Sequence, residues 1–587
     1  MKNFYKIVPV IVIITLSILS IGFKQGENQH ISILPKLQKR DIYDMNLSDM
    51  IEIRRGNLQV EEIRLFTKME SDNLNHSGLL TKSTSLKINN EVKSKLLRNG
   101  DINIDLVIPD PNGRNMKLKL TKVEVTSSDF IISTVGVSGK SKFNYQNTGL
   151  HYRGIIDGET NSIASLSIFD EFVMGLFSGK TGNYVLGSVM KDGKYTDDYI
   201  FYNDSDLKVL NKFKCGIGED NGENFNVYSV TEFQKSHGQN GELDEGRAPV
   251  QVYFVCDYDM YQKAGNNVQA VGSFVTGLFN SVATIYQKEY LKVQISEIQV
   301  YTSPDPYRFT NNSVDILFEF GRNTRDNFNG DLAHLLSTRT INAGGIAWIN
   351  VLCANYSGNS QEPYGRFAYS NIETSYNNFP TYSWTVGVIA HEMGHNFGSQ
   401  HTHACAWPVG GYIGAIDSCY TAEGNCFPGQ FRSIGTIMSY CHLWAPTGDT
   451  SQGGGINFAR GFGVLPGDTI RLRYNQAACF GPTVNVSELP VTFNLLPNYP
   501  NPFNPITNLK FAVPENANVT IAIFDIRGRE VARLMSNKYF NQGIYTFQFD
   551  ASLYQLSSGV YFYKMYAVNP VNNTGVYSNV RKMILMK

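Results

Sequence analysis

The sequence predicts a multidomain protein with a mostly β N-terminal region, a central α/β domain and a C-terminal antiparallel β-sandwich. Its 587 residues exceed what one hydrophobic core usually organises. Strand-like alternation fills the first 247 residues, a long helical apolar stripe follows, and alternation returns near residue 490. We therefore predict three folded units at residues 26–247, 248–484 and 490–587.

The first 25 residues are predicted to form a secretory signal peptide. Lys2 and Lys6 precede an apolar run over residues 7–23, and polar sequence follows that run. The length of the run also fits an uncleaved membrane anchor, so this alternative stays open.

The two N-terminal boundaries follow from local composition. Runs at residues 102–107, 117–125 and 130–135 alternate as strands do and are broken by Pro and Gly turns. A polar stretch over residues 216–246 then precedes an apolar strand candidate at 250–256.

The central domain combines helix and strand patterns. One buried stripe with three- and four-residue spacing predicts a long helix, and its members are Val268, Val271, Val275, Leu278, Val282 and Ile285. Strand candidates at 293–301 and 345–353, with helical segments between them, predict a mixed twisted sheet. After residue 484, short strands at 519–524, 544–549, 560–566 and 580–586 predict the C-terminal sandwich.

Charge and cysteine content limit the function classes. The 51 basic and 52 acidic side chains nearly cancel, so nothing indicates binding to nucleic acid or to an anionic membrane. Of eight cysteines, seven lie between Cys256 and Cys479, which favours disulfides in an exported protein. Because seven is an odd number, at least one of these cysteines is unpaired or pairs elsewhere. Cys256 lies inside an apolar strand and is predicted to be a buried thiol. Four further cysteines can pair with one another in three ways. These cysteines are Cys405, Cys419, Cys426 and Cys441.

Three histidines within residues 391–401 have the spacing of a zinc site. His391 and His395 are one helical turn apart and face the same way. Gly398 can adopt a positive φ that ends the helix and returns the chain, so that His401 reaches the same ion. Three neutral imidazoles leave the fourth tetrahedral position to water, and Glu392 is placed to take a proton from that water.

These eleven residues match HExxHxxGxxH, so the central domain resembles the metzincin peptidases. That resemblance implies a methionine turn below the metal, and residues 433–440 (SIGTIMSY) are similar to it. Met438 would be the hydrophobic floor, and Tyr440 would contact the metal or the oxyanion, with simple ring packing as the alternative.

Within the metzincins, two segments resemble the reprolysin and adamalysin enzymes. Residues 344–353 (GGIAWINVLC) resemble the strand that borders the cleft, along which an extended substrate lies, and residues 331–339 (DLAHLLSTR) resemble the strand before it. The resemblance implies a Cys353–Cys479 disulfide and allows a calcium ion. Thr402 departs from the Asp usual after the third ligand. His403 and His442 are off the motif spacing and are predicted to be structural.

Both ends of the chain also resemble known modules. Residues 152–186 are similar to a reprolysin-type propeptide, and Lys214-Cys215-Gly216 is similar to a cysteine switch, whose Cys215 thiolate would take the open zinc position. A disulfide or a free surface thiol is the alternative for Cys215. Residues 496–505, 524–531, 558–563 and 582–587 resemble the type A sorting domain of the type IX secretion system, with a sugar-binding or adhesive sandwich as the alternative.

Together these patterns predict a secreted or surface-located zinc metalloendopeptidase, made as a latent precursor and active on proteins or peptides as a monomer. Glu392 would be the general base, with Tyr440 as a possible second catalytic group. The alternative is a surface binding protein or adhesin with a non-catalytic zinc site. The intact Glu392 argues against that alternative, because structural zinc sites are normally closed by four protein ligands.

Overall fold

The computed structural model describes residues 38–39, 47–55, 60–70, 78–146, 149–208, 213–216, 248–307, 311–341, 344–358, 363–372, 380–409, 411–444, 454–480, 492–570 and 574–586. The predicted signal peptide and the stretch 217–247 lie outside these ranges. The chain divides into two compact units, Asp41–Thr492 and Phe493–Lys587 together with Met1–Arg40.

The first unit begins with a ten-stranded sheet and two helices, Leu47–Arg55 and Asn90–Asn99. In spatial order its strands are Glu62–Ile63, Asn103–Pro109, Asn115–Lys122, Leu150–Ile156, Ile163–Ile168, Val173–Gly179, Gly182–Lys191, Lys194–Asn203, Thr84–Ile88 and Phe66–Lys68. Several of these strands, such as Ile163–Ile168 and Val173–Gly179, are buried along their whole length. This sheet therefore packs on both faces. We call it the N-terminal sheet.

The second sheet has seven strands and carries the α/β pattern predicted for the central domain. In spatial order they are Gly345–Ala347, Phe367–Asn371, Leu332–Ser337, Val250–Cys256, Val293–Tyr301, Thr126–Gly136 and Gly139–Phe143. The strand Gly345–Ala347 is antiparallel to its neighbour and forms one edge. The helices of this part are Tyr258–Lys263, Val268–Lys288, Ser313–Thr324, Tyr382–Asn396 and Val464–Gln476.

The last two strands of this sheet come from before residue 247, in the region predicted to be a separate N-terminal unit. We call Thr126–Gly136 and Gly139–Phe143 the donated hairpin. Its first strand pairs in parallel with Val293–Tyr301. Glu297 accepts a hydrogen bond from Ser133 Oγ at 2.5 Å and forms an ion pair with Lys140 Nζ at 2.8 Å. Ile132 is fully buried and approaches Gly272, where a side chain would collide with it.

The predicted long helix is present as Val268–Lys288, which we call the core helix. Its polar residues face the N-terminal sheet: Asn280 Oδ1 accepts from Arg153 Nε at 3.0 Å, and Ser281 Oγ lies 2.7 Å from Ser165 Oγ. Among the described helices it alone is long and apolar enough to cross a membrane, and 89% of its most apolar window is buried within the protein. It is therefore packed as the central helix of a folded domain is.

The edge strand is shorter than the predicted 345–353. It ends at Ala347 because Asn350 and Cys353 have φ values of 58° and 64°, which a continuous strand does not accommodate. The chain turns there and brings Cys353 to its disulfide partner Cys479.

The second unit contains two four-stranded antiparallel sheets that share one hydrophobic core. One sheet has the order Gln38–Lys39, Gly543–Asp550, Ile506–Val513 and Asn494–Leu495, and the other Glu530–Phe540, Ala517–Phe524, Gly559–Val568 and Gly575–Leu585. Phe511 and Phe549 from the first sheet and Ile523 and Tyr563 from the second are among the buried core residues. The short strands predicted after residue 484 are thus present.

Candidate active site

The helix Tyr382–Asn396 positions the first two histidines, and we call it the active-site helix. Val386, Ile389 and Ala390 are buried, so the helix packs into the domain. The helix ends at Asn396, and Gly398 has a φ of 96°, as the turn before the third histidine requires. The chain then returns and places His401 beside the other two imidazoles.

The three predicted ligands meet at one point. Their Nε2 atoms lie 3.2 Å apart for His391 and His395, and 3.1 Å apart for each of the two pairs that include His401. All three side chains are buried. Each Nδ1 faces an acceptor at 2.8 Å: the carbonyl oxygen of Ile437 for His391, that of Ser399 for His395, and the Glu423 carboxylate for His401.

This arrangement fits a zinc ion. Because each Nδ1 donates its proton to an acceptor, each Nε2 presents a lone pair to the common centre. Burial also lowers the pKa of His391 and His395 well below the usual value, which keeps these imidazoles neutral. The corners of the Nε2 triangle lie about 1.8 Å from its centre, slightly less than the Zn–N bond of about 2.0–2.1 Å. Three bare lone pairs at this separation repel each other unless a cation joins them.

Glu392 lies next to this centre and is fully buried. Its Oε2 atom accepts a hydrogen bond from the Cys215 thiol at 3.3 Å, and its Oε1 atom has no hydrogen-bond partner among the described residues. Burial raises the pKa of the Glu392 carboxyl well above its ordinary value, and the hydrogen bond from Cys215 opposes this shift. A carboxyl held in this way is a strong proton acceptor once it is ionised.

Met438 lies beneath the active-site helix, as the predicted floor should. It is fully buried, and a side chain at Gly394 would come within 2.7 Å of its sulfur. Its carbonyl oxygen accepts hydrogen bonds from Thr402 N at 3.0 Å and Thr402 Oγ1 at 3.3 Å. Thr402, the residue that departs from the adamalysin pattern, therefore connects the third ligand to the methionine turn.

The segment 213–216 crosses the site. The Sγ atom of Cys215 lies within 4.8 Å of a ligand nitrogen of each of the three histidines. Cys215 is buried and is one of two cysteines in the described chain that lie outside its three disulfides. The Tyr440 hydroxyl accepts from Cys215 N at 2.9 Å and donates to Cys215 O at 3.1 Å. The predicted switch cysteine and the predicted second catalytic group are therefore in direct contact.

Two further contacts hold this segment in the cleft. Gly216 N donates to Gly345 O on the edge strand at 2.8 Å, and Cys215 pairs in parallel with the same residue. His442 Nε2 lies 2.9 Å from the Phe213 carbonyl oxygen, and the Phe213 ring stacks on the His442 ring. His442, predicted to be structural, thus binds the segment that covers the metal site.

The N-terminal sheet also forms hydrogen bonds with the start of the active-site helix and with the chain after the methionine turn. Tyr382 Oη accepts from Gly175 N at 3.0 Å, and Asn183 Nδ2 donates to Ile456 O at 2.6 Å. A cavity of about 710 Å³ lies between these contacts and reaches His391. Residues from both sides line it, so the N-terminal sheet forms one wall of the cleft.

Three disulfides form in the described chain, and neither Cys215 nor Cys256 takes part in them. Cys353 pairs with Cys479, as the resemblance implied, Cys405 pairs with Cys426, and Cys419 pairs with Cys441. Cys256 is free and buried, as predicted.

Sequence reasoning did not identify Glu423. Its Oε1 atom lies 2.8 Å from His401 Nδ1 and 3.2 Å from His403 Nε2. His403, predicted to be structural, also stacks on His401 with ring centres 4.9 Å apart. Burial raises the pKa of Glu423, but the hydrogen bonds from the two histidines outweigh this and hold it below the ordinary value.

The central domain combines a mixed sheet with an HExxH helix, a third histidine and a buried methionine beneath that helix. Residues 247–446 match the model of metallo-peptidase family M12. Residues 498–577 match the secretion system C-terminal sorting domain. The C-terminal sorting domain indicates secretion through the type IX secretion system.

Curated relatives are distant and longer. The chain is 24% identical to disintegrin and metalloproteinase domain-containing protein 10 of Xenopus laevis, over 55% of this chain and 46% of that protein. It is 22% identical to the human protein 9 of the same name, over 47% of this chain and 33% of that protein. The chain thus spans less than half the length of these relatives. Metalloproteinase-II from Bacteroides fragilis aligns at 13% identity over 61% of this chain and 92% of that structure, with a TM-score of 0.30.

Proposed function

We propose that the protein is a secreted zinc-dependent endopeptidase, made as a latent precursor whose residues 26–247 are a propeptide. One observation carries the proposal. The Nε2 atoms of His391, His395 and His401 converge within 3.2 Å, Glu392 lies beside them, and the Cys215 thiol faces the same point.

His391, His395 and His401 would hold the zinc ion. When bound, the ion acts as a Lewis acid that polarises a peptide carbonyl and makes water more acidic. The buried Glu392 carboxylate takes a proton from the attacking water and delivers it to the leaving amine. Since Glu392 follows His391 directly on one helix, the base keeps a fixed position relative to the ligands.

Tyr440 supports this reaction once the segment 213–216 has left. Its hydroxyl group then loses both partners, the amide and the carbonyl of Cys215. A phenol with a free O–H donor at this place can stabilise the oxyanion that develops on the scissile carbonyl. The edge strand Gly345–Ala347 regains the backbone groups that an extended substrate requires.

Latency follows from the same contacts. The Cys215 thiol occupies the position that water and substrate need, and it shares its proton with Glu392, so the base is occupied. Phe213, His442 and the wall of the N-terminal sheet cover the adjoining cleft. Cutting the chain within residues 217–247 would break the covalent link between Cys215 and the protease domain, so that the segment 213–216 can leave the cleft.

Purified protein tests the proposal. After limited proteolysis within 217–247, it should digest casein, lose that activity to a chelator and regain it with added zinc. Glu392→Gln should lower the rate by roughly 10²- to 10⁴-fold, because it removes the general base. The same variant should retain one zinc ion per chain by metal analysis. Casein cleavage at the wild-type rate by Glu392→Gln would refute the mechanism, and zinc binding without cleavage of any peptide would favour a binding protein.

A further inference from the structure

The third histidine is held differently from the other two. His391 and His395 donate their Nδ1 protons to the backbone carbonyl oxygens of Ile437 and Ser399, which are neutral dipoles. His401 donates its Nδ1 proton to the carboxylate of Glu423, also at 2.8 Å. Of the three proposed ligands, His401 alone has a carboxylate side chain as the acceptor of its Nδ1 proton.

We propose that Glu423 is a positioning residue for the metal centre. This inference rests on the proposed function and adds to it the group that sets how strongly the third ligand binds zinc. A carboxylate acceptor fixes the Nε2 tautomer of His401 and makes the imidazole more electron-rich, so that it is a stronger donor to a metal ion.

The backbone around Glu423 fixes the direction of its side chain. Glu423 N donates to His403 O at 3.1 Å, and Cys405 N donates to Glu423 O at 2.9 Å. The disulfide between Cys405 and Cys426 closes this loop three residues further on. The carboxylate is therefore anchored from the residues that directly follow His401.

His403 fixes the carboxylate from a second side. Its Nε2 atom lies 3.2 Å from the same Oε1 atom, and its Nδ1 atom has no partner among the described residues. The neutral tautomer with the proton on Nε2 satisfies this pattern, so His403 is a donor to Glu423. Its ring lies nearly parallel to that of His401, with an angle of 8° between the planes. Glu423 consequently receives two hydrogen bonds on one oxygen.

The inference is tested in the full-length chain carrying Glu392→Gln, which prevents self-digestion. We would measure the zinc dissociation constant by competition with a chelator, and the absorption spectrum of the cobalt(II) form. Glu423→Gln keeps the size and an acceptor oxygen but removes the charge. It should weaken zinc binding by roughly 10- to 100-fold and shift the cobalt bands. Glu423→Asp should recover part of the affinity.

Glu319 supplies the matched control. Its side chain is 28% exposed, against 25% for Glu423, and its carboxylate contacts Arg322 and Asn323 on its own helix. Glu319→Gln should leave zinc affinity and the cobalt spectrum unchanged. If Glu423→Gln does not fold, His403→Phe provides a second variant, because it keeps an aromatic ring on His401 and removes one donor to Glu423. It should weaken zinc binding less than Glu423→Gln.

The outcomes separate two failures. If the parent protein binds no zinc, the proposed function itself is wrong. If the parent binds zinc and folded Glu423→Gln binds it equally well, with an unchanged cobalt spectrum, only the positioning role is wrong. A lower melting temperature without a change in zinc affinity would likewise assign Glu423 a purely structural role.

Discussion

At the residue scale, Cys215 lies among the side chains of the candidate site. Its thiol faces the three histidines and Glu392, and its backbone occupies the Tyr440 hydroxyl. In the proposed latent precursor, latency and catalysis would therefore compete for the same atoms. A substitution that removes the sulfur alone separates the contribution of the thiol from that of the surrounding chain.

We expect Cys215→Ala to be active in the uncut chain. If the thiol contributes more than about 1.4 kcal/mol to the closed state, its loss raises the open fraction more than about tenfold. Cleavage of a quenched fluorescent peptide, before any processing of the chain, measures this. Cys256→Ala is the control, since it removes the other buried thiol of the described chain, which lies in a strand. An uncut Cys215→Ala protein as inactive as wild type would contradict a role of the thiol in latency.

How far the site was predictable differs from residue to residue. The three histidines and Glu392 follow from local spacing, because a helical turn and a glycine fix where their side chains point. Met438 is predicted from the metzincin resemblance alone. Glu423 lies 22 residues after His401, and a disulfide loop brings it back. No periodicity encodes such a return, so sequence reasoning had no signal for this carboxylate.

At the element scale, the donated hairpin shows what sequence patterns leave open. Alternation at residues 130–135 correctly indicates a strand, but it does not specify the partner strand. The partner is selected by the fit of Ile132 against Gly272 and by the contacts of Glu297 with Ser133 and Lys140. These contacts join residues that are distant in the sequence.

Ile132→Ala should destabilise the unit 41–492 by about 2–5 kcal/mol, since it leaves a cavity beside the core helix. Urea unfolding followed by tryptophan fluorescence measures this free energy. All four tryptophans, Trp348, Trp384, Trp407 and Trp444, lie in that unit, so the signal reports on it alone. Val137→Ala, in the turn of the same hairpin and 97% exposed, should change the free energy little. Equal effects of the two substitutions would argue against the packing of the donated hairpin onto the core helix.

At the scale of the whole molecule, the chain separates chemistry from export. The candidate site lies within the unit 41–492, and the matched sorting domain lies within the other unit. The sorting unit has its own core, which includes Phe511, Phe549, Ile523 and Tyr563. The two tasks can therefore be removed independently.

A chain that ends at residue 492 should fold around its site but stay with the cells. We expect it to retain the tryptophan fluorescence of the full-length protein and to be absent from the culture medium. Immunoblots of medium and cell fractions test this, with the full-length chain and Glu392→Gln as controls that should both be exported. Release of the truncated chain at the full-length level would contradict the role of the sorting domain.

The donated hairpin also sets an order of events during synthesis. Ser133 and Glu297, which meet in the second sheet, are 164 residues apart. At about 5–20 residues per second, the hairpin leaves the ribosome roughly 10–30 s before its partner strand. The second sheet cannot be completed until then. A chain made without the first 247 residues lacks two of the seven strands of this sheet. The N-terminal region therefore supplies two strands to this sheet, in addition to the segment 213–216 that crosses the candidate site.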